Sequence, residues 1–575
     1  MHFVKYWYKF IYYRIFRMDD RLLLIIAGSI VGICSGLAAV CLRQSLGAVL
    51  DWLHPFRHYW WALFLPAAGA ALSSIYLEKV TKEGPGHGVP EIIYAVSRYG
   101  GLLRFRSSYS RLISSFLTIG SGGSAGPEAP IVMSGSTIGS NLAKFLSLND
   151  RQRITLVGCG AAGAISAIFN APIAGLVFSI EIILGEWKFV NIIPIAIASV
   201  AGAEISKILY PGHTVFVHQP FNIVLTDVFA SLALAVITAI VSIIFTRSLR
   251  GMGKISKQVP LPFWTRAGLG GCAVGIIGLF LPVVLGEGYH SIQSMISGTY
   301  SMGILIIIIS IAAKIFATSM TLGWGGSGGI FAPCLVIGSL TGLAFHRTLF
   351  ALIPSLANAG EGAYALLGMA GLISGMLQAP LTGIFLIVEI AGGYETILPL
   401  IVVSSISATL CHYIEPASFY LKELVERGQL LRPGSDSRIL SDLSIQELID
   451  DSYVQVAQNM VLREFLSVIK ESDKYLFPVI DEDTRDYLGL IQINTIRQYA
   501  LDPGMHDMIL LNQIMDTTVV TGTLENGLQE LLDMMDLNNI DIIPIVENYK
   551  FIGMISKAEI LNLYRRELIM QTSIQ

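Results

Sequence analysis

Glu128 stands inside an apolar segment, in a frame of glycine and proline residues. The frame reads GSGGSAGPEAP over residues 120–130, and it returns 203 residues later as GWGGSGGIFAP over residues 323–333, with Phe331 in place of Glu128. A carboxylate at an anion-attracting helix terminus can take the anion's place and leave on protonation, whereas phenylalanine cannot titrate. We therefore predict that Glu128 is a gate and proton carrier; the alternative is a structural carboxylate that only complements a helix dipole.

The glycines and prolines of both frames suit the backbone of an anion site. A helix that begins inside a membrane leaves its first N–H groups without intrahelical partners, and its dipole adds partial positive charge there. Glycine lets the backbone approach an ion closely, and proline in the first turn loses little hydrogen bonding. Two such ends, one in each half of the chain, would hold an anion weakly enough for it to move on.

A second pair of segments repeats in the same order. GAAGAISAIFNAPIAGLVFSIEI at residues 160–182 aligns without a gap with GMAGLISGMLQAPLTGIFLIVEI at residues 368–390, which pairs Glu181 with Glu389. The two repeats predict two related halves, at about 21–220 and 221–428, and leave open whether these are parallel or inverted. Glutamates near helix ends are more often structural than functional, and we interpret this pair in that way.

The composition places most of the chain in a membrane. Of the 575 residues, 53% are hydrophobic and 14% are charged, and the mean hydropathy is +0.63, whereas soluble domains carry about a quarter charged residues. A net charge of −4 is too small to indicate nucleic-acid binding. The six cysteines lie singly in apolar segments and are interpreted as packing residues. The sequence contains no recognisable metal motif or catalytic dyad, so we expect neither a metal site nor an enzyme.

Apolar runs follow one another from residue 21 to residue 428, and many are short or interrupted by glycine or proline. Segments such as 90–98, 129–146 and 330–343 are expected to be too short or too broken to span a bilayer alone, which predicts tilted and re-entrant helices. Residues 1–20 mix basic and aromatic side chains, which predicts an interfacial cytoplasmic helix, with a disordered tail as the alternative. We expect a multi-pass protein of the cell membrane with both termini in the cytoplasm.

Beyond residue 428 charges become frequent and the apolar runs shorten, which predicts a linker at 429–450 and a soluble α/β domain at 451–575. This domain has its own repeat, because FPVIDEDTRDYLGLI at 477–491 is similar to IPIVENYKFIGMI at 543–555. The unit resembles a pair of CBS domains, at about 451–505 and 506–570.

Four ordered motifs resemble the CLC family of chloride channels and transporters. GPEAP at 126–130 resembles the gating-glutamate motif, usually Gly-Lys/Arg-Glu-Gly-Pro, and GIFAP at 329–333 matches the Gly-x-Phe-x-Pro motif. GHGVPE at 86–91 resembles the Gly-Ser-Gly-Ile-Pro-Glu motif, and Tyr420 fits the pore tyrosine. The resemblance covers nearly the whole chain and implies chloride transport, an inverted repeat and a homodimer with one pore per subunit.

The resemblance also implies which residues bind the anion. Amides of Ile330 and Phe331, the hydroxyl of Tyr420 and the segment around His87 would hold the central anion, and Glu128 would alternate with chloride at an outer site. The complete set expected to bind the anion is His87, Gly126, Glu128, Ala129, Ile330, Phe331, Ala332 and Tyr420.

Departures from the family motifs leave selectivity and transport mode open. His87 replaces a serine, and it either donates to the anion or turns away and leaves binding to the backbone. Pro127 removes a cationic side chain and an N–H donor, and Ala129 replaces a glycine; both changes are expected to weaken the outer site. Ile182 stands where exchangers usually have an inner glutamate. A passive channel and a chloride/proton antiporter therefore both remain, the second with Glu181 or a water chain carrying the proton.

Both the transported ion and the role of the soluble domain admit more than one interpretation. Another anion such as nitrate or fluoride could replace chloride, and a cation transporter is disfavoured because acidic residues are few in the membrane region. CBS pairs often bind an adenine nucleotide, but only Ser556 and Glu559 resemble part of such a site, so a structural or dimerising role is equally compatible with the sequence. Lys314, an intramembrane charge, is expected to form a packed ion pair or to snorkel.

Overall fold

The computed structural model describes residues 19–53, 55–56, 59–84, 88–211, 216, 224–354, 358–426 and 445–573. The chain divides into a helical unit, Met1–Leu430, and a smaller unit, Leu431–Gln575. Residues 1–18 of the predicted interfacial helix, His87 and residues 429–444 of the predicted linker lie outside the described residues.

The first half of the helical unit has eight α-helices in its described part. They are α1 (Asp20–Leu53), α2 (Leu65–Ile75), α3 (Val89–Arg98), α4 (Ser107–Gly120), α5 (Glu128–Phe145), α6 (Asp150–Phe169), α7 (Pro172–Phe178) and α8 (Phe189–Leu209). Wider π-helical turns extend α2 over Tyr76–Thr81 and α7 over Ser179–Leu184.

The second half repeats this order and adds one helix, again within the described ranges. Its helices are α9 (Leu225–Gln258), α10 (Phe263–Phe280), α11 (Tyr289–Ile296), α12 (Ile304–Gly323), α13 (Phe331–Leu352), α14 (Glu361–Leu377), α15 (Pro380–Ala391), α16 (Ile397–Ile414) and α17 (Phe419–Glu426). Helices α9 to α16 correspond one by one to α1 to α8, so the repeat predicted from two segments extends through both halves.

Helix lengths confirm a polytopic architecture with short helices among long ones. Among the described residues, nine helical stretches are long and apolar enough to cross a membrane. Helices α3, α7, α11 and α15 have 10, 7, 8 and 12 residues, which at 1.5 Å per residue is too short to span a hydrocarbon core of about 30 Å.

The expectation that the segment starting at residue 330 is too short or too broken to cross a bilayer alone is wrong. Helix α13 has 22 residues and continues through His346 and Arg347 to Leu352. The Arg347 guanidinium is held by both carboxylate oxygens of Glu361, at 2.8 and 2.9 Å, and His346 is buried. The charge of Arg347 is therefore paired inside the protein, and the helix continues past it.

Glycines of both repeats allow close helix packing. A Cβ on Gly135 of α5 would lie 2.4 Å from the carbonyl oxygen of Gly160 in α6. In the second half, a Cβ on Gly338 of α13 would lie 2.6 Å from the carbonyl oxygen of Gly368 in α14. Because neither contact admits a side chain, these glycines fix the distance between the two helices of each pair.

Glu181 and Glu389 cap helices of the opposite half. Each carboxylate accepts hydrogen bonds from two backbone N–H groups in the first turn of a short helix. The donors are Leu381 and Thr382 of α15 for Glu181, at 3.2 and 2.7 Å, and Ile173 and Ala174 of α7 for Glu389, at 3.0 and 2.7 Å. An anionic group at a helix N-terminus stabilises the helix, so this exchange of caps supports the structural interpretation of both residues.

The smaller unit contains two β-hairpins, each preceded and followed by a helix. Strand β1 (Val456–Ala457) pairs in parallel with β2 (Leu476–Ile480), β2 pairs antiparallel with β3 (Tyr487–Gln492), and β4 (Ile542–Glu547) pairs antiparallel with β5 (Lys550–Ser556). The helices are α18 (Leu462–Glu471), α19 (Ile493–Ala500), α20 (Leu528–Asn538) and α21 (Lys557–Ser573).

The two hairpin repeats pack against one another inside this unit. The rings of Tyr487 and Phe551 stack with centroids 6.1 Å apart, and Asp450 forms a bridge with Met554 of β5. Lys474 pairs with Asp450 at 2.6 Å and covers the ring of Tyr453 at 4.3 Å.

We expect replacement of Lys474 by Met to lower the free energy of unfolding of this unit by about 1 kcal/mol at pH 7. The hydrogen bond from Lys474, helped by Ser452, lowers the pKa of Asp450 from 3.8 to about 2. This stabilisation is therefore complete above pH 4 and is lost as the pH falls through 2.

The measurement is thermal unfolding of the full-length protein in detergent between pH 7 and pH 2. The difference between the wild type and Lys474→Met should shrink below pH 4, and Asp450→Asn in the Lys474→Met background should add little. A difference that is the same at pH 2 and pH 7 would contradict an electrostatic origin.

Candidate functional site

Helices α5 and α13 begin where the two halves of the helical unit meet. Helix α5 starts at Glu128 and α13 starts at Phe331, each within its Gly/Pro frame. The N–H of Gly126 donates to the carbonyl oxygen of Gly329 at 2.8 Å, and the N–H of Gly329 donates to that of Gly126 at 2.7 Å. The structure thus brings the two frames together through one antiparallel bridge.

Hydroxyl groups fix the same frames in a reciprocal way. The N–H of Ser124 donates to Thr321 Oγ1 at 3.1 Å, and the N–H of Ser327 donates to Thr118 Oγ1 at 3.1 Å. Each hydroxyl comes from the helix that precedes the frame of the other half. Because the backbone bridge and these hydroxyl contacts are each repeated with the halves exchanged, the two halves are related by an approximate two-fold axis.

The closeness of the frames requires glycine at their junction. A Cβ on Gly126 would lie 2.0 Å from Glu128 Oε2 and 3.0 Å from the Cβ of Ala332, and a Cβ on Gly329 would lie 3.0 Å from the Cβ of Ala129. Real side chains rarely approach so closely. The glycines therefore let the backbone and the Glu128 carboxylate share this space.

The Glu128 carboxylate lies at the N-termini of both helices. Only 1% of its surface is exposed, and Oε1 accepts a hydrogen bond from the hydroxyl of Tyr289. Oε2 makes no well-aligned hydrogen bond, but the carboxylate interacts with the backbone amides of Glu128 itself and of Ala332 in α13. Negative charge is most favourable at such helix ends, so the carboxylate stands where the backbone would attract an anion.

Tyr420 adds a buried hydroxyl near the start of α13. It is 1% exposed and makes no side-chain hydrogen bond in the described part of the chain. It interacts electrostatically with Cys334 in the first turn of α13 and with Glu128. Because buried hydroxyls normally have a partner, this O–H group is suited to donate to an anion beside the helix terminus.

The other described residues that were expected at the site lie at the same two helix starts. Gly126, Ala129, Ile330, Phe331 and Ala332 are all buried next to the bridge between the frames. His87 lies outside the described residues.

The Phe331 ring packs against two other aromatic rings from the first half. Its centroid is 6.1 Å from that of Phe169 and 5.8 Å from that of Phe178. The position equivalent to Glu128 is therefore part of a cluster of aromatic rings that cannot titrate.

Sequence reasoning missed Tyr289 and the segment before it. GEGY at 286–289 lies 200 residues after GHGV at 86–89, so a signal was present in the repeat. The second glycine of each segment precedes a short helix with the same left-handed φ, +83° at Gly88 and +81° at Gly288. The repeat thus continues through this segment, and Tyr289 is the counterpart of Val89.

Lys314 supports this segment from α12. It is fully buried and donates to the carbonyl oxygens of Val284 and Gly286, at 3.0 Å each. Of the two alternatives expected for Lys314, snorkelling is wrong, because the side chain reaches into the protein and satisfies two carbonyl groups there. The packed ion pair stays a prediction. The Lys314 ammonium group also interacts electrostatically with Glu287.

The described ranges offer little evidence for a metal site or a nucleotide site. No group of three His, Cys, Asp or Glu side chains there could hold a metal ion. In the smaller unit, the N–H of Glu559 donates to Ser556 Oγ at 3.3 Å, which caps the start of α21. This hydrogen bond gives Ser556 and Glu559 a structural role at the start of the helix.

Comparison with protein-family models identifies both units. A model described as the voltage gated chloride channel matches residues 68–412, and a model of the CBS domain matches residues 511–566. The first match covers more than half of the chain, and the resemblance noted from the motifs is confirmed.

Two curated relatives show similar sequence over most of their length. A putative chloride channel protein ClcB-like from Ralstonia nicotianae is 29% identical over 426 residues, which are 71% of this chain and 98% of that protein. The H(+)/Cl(−) exchange transporter ClcA of Vibrio cholerae is 29% identical over 397 residues, 65% of this chain and 83% of that protein.

Solved structures confirm the fold. A slow cyanobacterial Cl⁻/H⁺ antiporter matches with a TM-score of 0.65 at 23% identity, over 72% of this chain and 99% of that one. A eukaryotic CLC transporter matches with a TM-score of 0.62 at 16% identity, over 94% of this chain and 98% of that one.

We expect Gly126→Ala to displace the Glu128 carboxylate, because the new Cβ would lie 2.0 Å from Oε2. Without this negative charge at the helix ends, a halide should bind about tenfold more tightly at neutral pH. Calorimetric titration of the detergent-solubilised protein with chloride measures the change.

Gly303→Ala is the matched control, since a Cβ there meets nothing within 4 Å. Equal chloride affinity in Gly126→Ala and Gly303→Ala would contradict competition between the carboxylate and an anion.

Proposed function

The chain belongs to the voltage gated chloride channel family, and on this premise we propose that it exchanges chloride for protons across a membrane, with Glu128 as gate and proton acceptor. It would act as a transporter and not as an enzyme. The ClcA relative from Vibrio cholerae is named as an exchanger of the same two ions, and the similar cyanobacterial structure is described as an antiporter.

One observation carries the proposal: a buried carboxylate lies at the junction of two helix N-termini. In a region of low dielectric, a carboxylate and a chloride ion cannot share the same partial positive charge without strong repulsion. Protonation of Glu128 removes its charge and weakens its attachment to the amides, so chloride can replace it. Each departure of the side chain would thus couple one proton to the movement of anions.

The proposed chloride path follows the backbone at the start of α13. Amides of Ile330, Phe331 and Ala332 and the hydroxyl of Tyr420 would donate to the ion, with Gly126, Ala129 and the His87 segment around it. Helix dipoles repel cations from this place and supply no full positive charge that would retain an anion. We propose chloride as the physiological ion, with nitrate and fluoride as less favoured substrates.

A passive chloride channel is the second candidate, and Ile182 favours it. This side chain packs against the apolar core, and both carboxylate oxygens of Glu181 are engaged by the start of α15. Thr382 Oγ1 also donates to Glu181, at 2.6 Å. Exchange would therefore need another inner path for protons, such as a chain of water molecules, whereas a channel needs none.

Further proposals follow from membership in the family. We propose a homodimer in the cell membrane, with one pore per subunit and both termini in the cytoplasm. The membrane region would comprise residues 21–428, and residues 429–450 would link it to CBS units at 451–505 and 506–570. The CBS pair would regulate transport, with an adenine nucleotide as candidate ligand.

Glu128→Gln is expected to abolish the dependence of chloride flux on pH and any coupled movement of protons, because the amide cannot titrate. Chloride efflux and proton uptake are measured together in proteoliposomes between pH 4.5 and pH 8. Glu204→Gln, at an exposed glutamate paired with Lys207, is the matched control and should behave as the wild type. A pH dependence retained in Glu128→Gln would remove this residue from the gate.

The mode of transport is tested by the reversal potential under a proton gradient with equal chloride on both sides. Exchange predicts a shift of the potential with the gradient, because the two ions move together. A potential that stays at zero would contradict exchange and favour the channel.

A further inference from the structure

The gate glutamate accepts a hydrogen bond from a residue of the other half whose counterpart in the first half is apolar. The hydroxyl of Tyr289, the first residue of α11, donates a hydrogen bond to Glu128 Oε1. In the first half the corresponding position is Val89, which has no polar group to donate. The contact therefore has no exchanged counterpart, just as Glu128 has none.

The segment 286–289, here called the gate loop, also carries a second carboxylate. Glu287 is partly exposed, whereas Glu128 is buried, and the two interact electrostatically. Arg43 of α1 and Lys314 of α12 also interact electrostatically with Glu287. The gate loop thus places a second carboxylate within electrostatic reach of the buried gate.

The gate loop is held firmly in place. Gly286 and Gly288 adopt left-handed φ values of +57° and +81°, and a Cβ on Gly288 would lie 2.6 Å from a methyl group of Val336. The two hydrogen bonds from Lys314 to the carbonyl groups of Val284 and Gly286 add to this constraint. A rigid support is what the Tyr289 hydroxyl needs in order to discriminate between positions of the Glu128 side chain.

We propose that Tyr289 and Glu287 are positioning residues that set the pH at which Glu128 leaves its closed position. Tyr289 donates to the ionised carboxylate and stabilises the closed state, whereas a negative charge on Glu287 repels Glu128 and favours its protonation. The two residues therefore act in opposite directions on one equilibrium. This inference rests on the proposed role of Glu128 as the gate.

Further charged and titratable groups surround this pair and contribute to the same equilibrium. They are Arg43 on α1, Lys314 on α12, Cys334 on α13 and Tyr420 on α17. Because Glu128 and Glu287 interact, they titrate as a coupled pair, and the measured midpoint belongs to both.

Tyr289→Phe removes the hydroxyl and keeps the ring, which packs edge-on against Phe216 with centroids 6.3 Å apart. A hydrogen bond to a charged group corresponds to about one to two pH units, so the midpoint of chloride flux should move upward by that amount. Glu287→Gln should move the midpoint downward, because it removes a like charge. Tyr413→Phe, at an 88% exposed tyrosine, should leave it unchanged.

The midpoints are measured as chloride efflux from proteoliposomes between pH 4.5 and pH 9. Chloride binding by calorimetry over the same range gives a second readout that needs no turnover. In both assays the shifts caused by Tyr289→Phe and Glu287→Gln should disappear when Glu128→Gln is also present.

The failures of the two proposals are distinguishable. If Glu128→Gln loses its pH dependence but Tyr289→Phe keeps the wild-type midpoint, this inference is overturned and the gate assignment stands. Shifts of the same sign in Tyr289→Phe and Glu287→Gln would also overturn it, since a general structural disturbance would explain them. If Glu128→Gln keeps its pH dependence, the gate assignment and this inference both fail.

Discussion

The arrangement of the helical unit depends on the meeting of two helix N-termini away from water. Backbone N–H groups in the first turn of a helix have no intrahelical acceptors, and two such ends together create a place that attracts negative charge. The reciprocal bridge between Gly126 and Gly329 holds the ends in contact. The exchanged hydroxyl contacts of Ser124 and Ser327 support the same junction.

The contacts that support the junction are largely repeated in both halves, whereas the side chains that can titrate are not. Exchanged hydroxyl contacts, exchanged glutamate caps and paired glycines treat both halves alike. Glu128 corresponds to Phe331 in the repeat, and Tyr289 corresponds to Val89. A symmetric backbone can create an anion site between two equal halves, but only unequal side chains can place a titratable gate on one side of it.

Several buried polar residues have a structural purpose that limits functional interpretation. Glu181 and Glu389 neutralise the starts of short helices, and Lys314 satisfies two carbonyl groups of an irregular segment. Burial of such groups is expensive unless each finds a partner. Glu128 differs, because its second oxygen has no well-aligned donor and its position lies at the junction itself.

The sequence by itself determined the helical membrane class, the repeat, the Gly/Pro frames and the candidate gate, because local residue types encode helix starts and close backbone approach. It did not reveal the length of α13, since Arg347 finds its partner Glu361 only in the folded chain. Nor did it reveal that Tyr289 contacts Glu128, 161 residues away. Contacts between distant side chains depend on how the halves pack, and only the tertiary structure decided them.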